Sequence, residues 1–181
     1  MRLGTITEDK LKDILIEGGY VDKADLTESV KVAEKESLPL ISVLLRRNLT
    51  TQKLIGQVIA EFYNLPYADL AARPPEKEMI NIIPEDFAKN NRVVLLGVEG
   101  DKVNVATDSP DRENLRQDLK KEIFDIFIKR KQLASLGQEE GFEIIVPQAP
   151  EFNIFYALPD NIDSVFSQYR KALETKFVEI I

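Results

Sequence analysis

The chain has 181 residues, 44% of them hydrophobic, and contains no cysteine and no histidine. That excludes disulfides, thiolate nucleophiles, zinc sites of the Cys/His kind and an imidazole general base. Its 24 basic residues stand against 31 acidic ones, a net charge of −7 with a pI near 4.8, and such a field repels nucleic acid.

No apolar run approaches the roughly 20 residues of a membrane span, and the first ten residues lack the apolar core of a signal peptide. The expected location is cytoplasmic, with no direct span and contact with a membrane only through a partner.

Residues 10–67 read as one helical unit written twice at an offset of 29 positions. That step pairs Leu11 with Leu40, Ile14 with Val43, Leu15 with Leu44 and Ile16 with Leu45, then Leu26 with Ile55 and Val30 with Ile59. Apolar residues recur where a buried face needs them. Two copies are too few for a solenoid, so the expectation is a compact pair of helical hairpins.

In chain order, Thr5 and Glu8 read as a capping box for a first helix to about Glu17, stopped by Gly18-Gly19. Asp22 caps a second helix with Leu26, Val30 and Ala33 inside, broken at Ser37-Leu38-Pro39. Pro39 opens the second copy as a first-turn residue, and Asn48 stands where the first copy has Gly19, the next best choice for a left-handed cap. Thr51 caps a fourth helix, with Leu54, Ile55, Ile59 and Phe62 inside.

Residues 65–70 leave the helix as an extended segment, and 71–77, rich in Ala and Pro, have the look of a linker. The domain division expected is a helical subdomain over 1–70, the linker 71–77, an α+β subdomain over 78–173, and a tail over 174–181. Within the second part, Pro84-Glu85-Asp86 begins a short helix that fades at Asn90-Asn91, and 93–107 form a β-hairpin turning at 97–101. Ser109-Pro110 starts a helix carrying Leu115, Leu119, Ile123 and Phe127 to about 136–137. Strands are expected at 142–146 and 152–158, and a last helix over 159–173 with Ile162, Val165, Phe166 and Tyr169 inside. The fold class is α+β, a small sandwich with helices on one sheet face following the helical hairpins. The apolar ending 177–181 reads as a strand that wants a partner, which suggests that the sequence is a piece of a longer chain.

These features in this order, with Leu65-Pro66-Tyr67-Ala68-Asp69-Leu70, Ile83-Pro84-Glu85-Asp86-Phe87-Ala88 and Thr107-Asp108-Ser109-Pro110, resemble the N-terminal region of the type II secretion and type IV pilus assembly ATPases. The resemblance covers residues 8 to about 125 and resumes at 152–176, leaving 126–151 as an insertion. It implies a region that does not itself hydrolyse ATP but docks the motor onto the cytoplasmic part of a membrane-anchored assembly protein. ATP and Mg would belong only to the absent catalytic domain, which is the second expected partner and to which 174–181 would start the linker, and the implied location is peripheral to the inner membrane through partners. It further implies a hexameric parent, although this piece by itself should be a monomer.

In some members the repeated motif binds cyclic di-GMP. Carried over by position, the motif falls on Lys10, Leu11, Lys12, Leu15 and Gly19 in the first copy and on Leu40, Leu44 and Asn48 in the second. Lys10 and Pro39 occupy the family's arginine position, and Lys12 and Ile41 its glycine position. Lysine keeps the charge but loses the planar fork, and proline offers a phosphate nothing.

An ATPase active site is absent from the sequence, since no Gly-x-x-x-x-Gly-Lys-Ser/Thr occurs among its eight glycines. Acidic pairs such as Glu139-Glu140 and Glu85-Asp86 could serve a carboxylate hydrolase, but adjacent acids of this kind are ordinarily solvated or capping. The basic run Lys120-Lys121 with Lys129-Arg130-Lys131 is either a patch for an acidic partner or the solvent face of a long helix. The function expected is docking and regulation, with cyclic di-GMP sensing by a degenerate motif as the alternative.

Overall fold

The computed structural model describes residues 5–135, 147 and 150–178. Among these it holds eight helices and a three-stranded sheet, an α+β fold. The helical repeat comprises α1 (Glu8–Glu17), α2 (Lys23–Glu36), α3 (Leu40–Arg46) and α4 (Gln52–Phe62). Its apolar stripes at helical spacing close into one cluster in which Leu11, Leu15, Leu40, Leu44, Ile55 and Ile59 are fully buried.

Local chemistry sets the ends. Thr7, not Thr5, caps α1, its hydroxyl accepting from the Lys10 N–H at 3.3 Å. Thr5 instead bonds the Tyr63 hydroxyl. Thr51 caps α4 as expected, accepting from the Leu54 N–H at 3.1 Å. Asp22 stands at the start of α2 without a side-chain cap bond, and Pro39 is the residue before α3 rather than its first turn. Phe62 corrects another expectation: it lies 41% exposed, because the inward face of α4 at this level is taken by Val58 and Ile59.

Past the extended segment the chain forms α5 (Lys77–Ile82), which the sequence pattern did not announce, and α6 (Glu85–Asn91). The helix α5 buries Ile80 and Ile82 and therefore begins at the last residue of the expected linker. Strands β1 (Val93–Glu99) and β2 (Lys102–Thr107) pair antiparallel around Gly100, whose φ of +60° suits glycine at a tight turn. The ladder shifts register between Leu95 and Gly97, so the strand continues through the expected turn region to Glu99.

The next helix, α7 (Leu115–Ser135), starts later than Ser109-Pro110. The chain between them turns, and Asn114 at φ +60° breaks any continuous helix. From there the four-residue spacing holds, with Leu115, Leu119, Ile123 and Phe127 all buried. This helix is the crossover that lets β3 (Glu151–Tyr156) run parallel to β2, giving the order β1-β2-β3. The final helix α8 (Pro159–Val178) buries Ile162, Val165, Phe166 and Tyr169 and continues helically through 177–178, where a strand was expected. The strand expected at 142–146 and residues 179–181 lie outside the described residues.

A polar clasp joins the second half. Arg92 ends α6 at φ +54°, and its guanidinium meets the buried Asp108 after β2 and Asp163 on α8 at 2.5 Å. The Tyr169 hydroxyl lies 2.7 Å from the Ile80 carbonyl and 3.0 Å from that of Ile83, tying α8 to α5.

Replacing Leu44 by alanine should cost about 2–5 kcal/mol in denaturant unfolding, because its methyl groups leave a cavity in the repeat core. The partly exposed Ile16, 39% accessible, should lose no more than about 0.5 kcal/mol on the same change beyond the packing it still makes.

Candidate functional site

The two motif copies are built alike at their helix ends. The N–H groups of Gly18, Gly19 and Tyr20 donate to the carbonyls of Ile14, Ile16 and Leu15, each at 3.0 Å. One period later Arg47, Asn48 and Leu49 donate to Val43, Leu45 and Leu44 at 2.9, 3.0 and 3.0 Å. Gly19 at φ +66° and Asn48 at φ +56° supply the left-handed residue that this helix ending requires. The openings of the copies also meet, since the Leu40 N–H donates to the Glu8 carboxylate at 3.4 Å.

Of the motif positions, Leu11, Leu15, Leu40 and Leu44 come together as core. Lys10 is exposed, its ammonium 5.2 Å from the centre of the Phe62 ring. Lys12 is held by Asp9 at 2.9 Å and Glu8 at 3.9 Å, and the bond to Asp9 raises its pKa. In the second copy Pro39 is exposed without a charge and Ile41 is buried. At the arginine and glycine positions of the motif, a cation thus stands in the first copy only. The lysines 120, 121, 129 and 131 of the basic run are all exposed on α7.

The opposite face of α4 carries a feature that the motif did not indicate. Residues Pro66 and Ala68 bracket Tyr67 against the end of β3: the Tyr156 N–H donates to the Pro66 carbonyl at 2.9 Å and the Ala68 N–H to the Tyr156 carbonyl at 2.8 Å. The Tyr67 ring then lies on Gly56, where an added Cβ would meet it at 2.3 Å. A glycine in mid-helix is the sequence signal that could have revealed this packing. The repeat has Thr27 at the matching place, on an exposed surface.

Beyond Tyr67 a cleft of about 1040 Å³ opens between α4 and the 65–75 segment, walled also by Leu96 and Phe155. Burial, with Asp69 adding to it, pushes the Tyr67 phenol up to about 12. Burial likewise raises that of Tyr156, whose ring packs into the helical core.

Residues 63–123 match the MshEN domain family. The match bears out the resemblance to the N-terminal region of the type II secretion and type IV pilus assembly ATPases. The MshEN segment takes in the bracketed Tyr67, α5, α6, the hairpin and the first turns of α7, and leaves α1 to α4 outside it. Solved structures similar to the chain include the following. MshE with cdg shares 20% identity, covering 88% of this chain and 97% of that one, with a TM-score of 0.48. The N-terminal domain of XpsE shares 17% identity, covering 92% and 96%, with a TM-score of 0.42. Among curated proteins none matches.

The contact between Gly56 and Tyr67 gives a double-mutant test. Gly56→Ala should destabilise the chain in spite of alanine's better helix propensity, and in a Tyr67→Ala background the same change should become neutral or stabilising by up to about 1 kcal/mol. Calorimetric melting of the four proteins measures the coupling.

The tyrosine shifts give a pH dependence. Both phenols titrate higher in the folded chain than the ordinary value near 10, so the folded state holds protons that the unfolded chain has lost. Their contribution to stability is complete below about pH 10 and is lost as pH rises through the folded values. Melting temperature should therefore fall above about pH 10, less steeply in Tyr67→Phe.

Proposed function

We propose that the chain is the non-catalytic docking and regulatory region of a secretion or type IV pilus assembly ATPase, and that its helical repeat couples the motor to the cytoplasmic part of a membrane-anchored assembly protein. The observation that carries this is the fate of the motif positions. The repeat keeps its apolar scaffold and both left-handed turns, while the second copy has Pro39 and a buried Ile41 where a phosphate ligand needs a cation and backbone access. A rigid scaffold with few built-in ligand groups suits protein contact. The MshEN match over 63–123 supports placing this scaffold ahead of such a motor. Among the described residues no helix is long and apolar enough to cross a membrane, so attachment would run through the partner.

Hydrogen exchange on the whole chain, with and without the cytoplasmic region of the assembly protein, tests the docking. Protection should concentrate in residues 8–75; protection confined to 85–178 would overturn the proposal. Cyclic di-GMP titrated into the same chain should give no binding tighter than about 1 mM. Micromolar binding lost in Lys10→Ala would instead establish the sensing alternative.

A further inference from the structure

The outer edge of β3 is closed at one rung and open at the next. Successive residues of a strand turn their amides to opposite sides. Glu151 and Ala157 donate to the carbonyls of Asp101 and Thr107 on the β2 side, whereas Tyr156 pairs outward with Pro66 and Ala68. Ile154, two residues back on the outward side, would take its rung from residues 64 and 66. Proline has no N–H to give, and Asn64 sits at φ +53° in the turn that ends α4. Among the described residues neither the Ile154 N–H nor its carbonyl has a partner on that side.

The edge therefore opens into a wedge of about 400 Å³, lined by Ile154, by Tyr63 and Leu65 from the departing segment, and by Arg112, Leu115 and Arg116 around the start of α7. No acidic residue lines it. The acids nearest in sequence, Asp111, Glu113 and Asp118, stand outside it. Arg112 is committed, its guanidinium donating to Asn91 at 2.6 Å and to Asp118 at 2.9 Å. Arg116 is exposed and donates to the Phe152 carbonyl at 3.3 Å, with no carboxylate partner among the described residues. Phe152 is the next outward residue of the strand, so this cation stands on the open edge itself.

We infer that the wedge takes the free carboxyl end of an extended peptide. Laid antiparallel to β3, one peptide residue satisfies both the N–H and the carbonyl of Ile154, and the terminal carboxylate falls beside Arg116. A guanidinium bound only to a carbonyl gains a charge-assisted bond from such a carboxylate. The volume lies at the low end of the usual range for small ligands, about 300–1,000 Å³, which suits a chain end and not a folded element. The wedge lies apart from the repeat motif, and this inference stands independently of the docking proposal.

Fluorescence anisotropy tests it, with the whole chain and a labelled short peptide of alternating threonine and valine whose C-terminus is either free or amidated. The free acid should bind, and the amide about tenfold or more weakly. N-methylating the peptide residues in turn should cost about tenfold at one position, the residue that donates to the Ile154 carbonyl. Arg116→Gln should bring the acid down to the affinity of the amide, while Lys53→Gln, the same charge change placed on α4, should leave it within about twofold. The acid–amide and N-methyl comparisons use the unaltered chain and so hold whatever Arg116→Gln does to folding. No binding of the acid, equal binding of acid and amide, tolerance of N-methylation at every position, or equal loss in the two variants would overturn the proposal.

Discussion

The end of β3 belongs to two cores at once, and the rest of the architecture depends on that sharing. Tyr156 exchanges backbone hydrogen bonds with Pro66 and Ala68 on either side of Tyr67, while its ring and Leu158 complete the cluster of the helical repeat. Two residues earlier, Ile154 faces the core of the α+β half. Alternation along a strand makes this possible only because the strand end reaches past the sheet into the helices. Proline is tolerated at the bracket since it contributes a carbonyl and no N–H is asked of it. The contact lies upstream of 71–77, so a swing of the repeat about that segment would have to break it.

The second half is held by a charge clasp of a different kind. An arginine in left-handed backbone costs roughly 1–2 kcal/mol, and Arg92 occupies that conformation where α6 gives way to β1. In that position its guanidinium reaches Asp108, which is only 3% exposed, along with Asp163 and the face of Phe166. Buried carboxylate charge demands such a partner. One residue thereby connects α6, the end of β2 and α8.

The repeat shows how a sequence period can keep a turn and lose a surface. Gly19 and Asn48 make the same helix ending, because that requires only a residue tolerant of positive φ. The flanking positions differ between the copies: half-buried Lys12 matches the buried Ile41, and exposed Thr27 matches Gly56, on which Tyr67 lies. The period also fails at the last helix, where α2 runs to Glu36 but α4 stops at Phe62, so Asn64 forms its left-handed ending 27 positions after Ser37.

The repeat, most of the helix faces, the hairpin, the α7 core stripe and the α+β class could be read from the chain before folding. Each of these rests on periodicity, capping or turn chemistry acting within about ten residues. The places where it misled are local too: Thr5 and Ser109-Pro110 satisfy the cap pattern but have other partners, and α5 is too short and too weakly patterned to announce itself. Tertiary structure alone decided that Tyr156 would enter the helical core, that Asp108 would be buried against Arg92, and that the Tyr67 ring would lie on Gly56. Those contacts join residues from 11 to 93 positions apart, and a one-dimensional pattern carries no information on which distant surfaces will be brought together by packing.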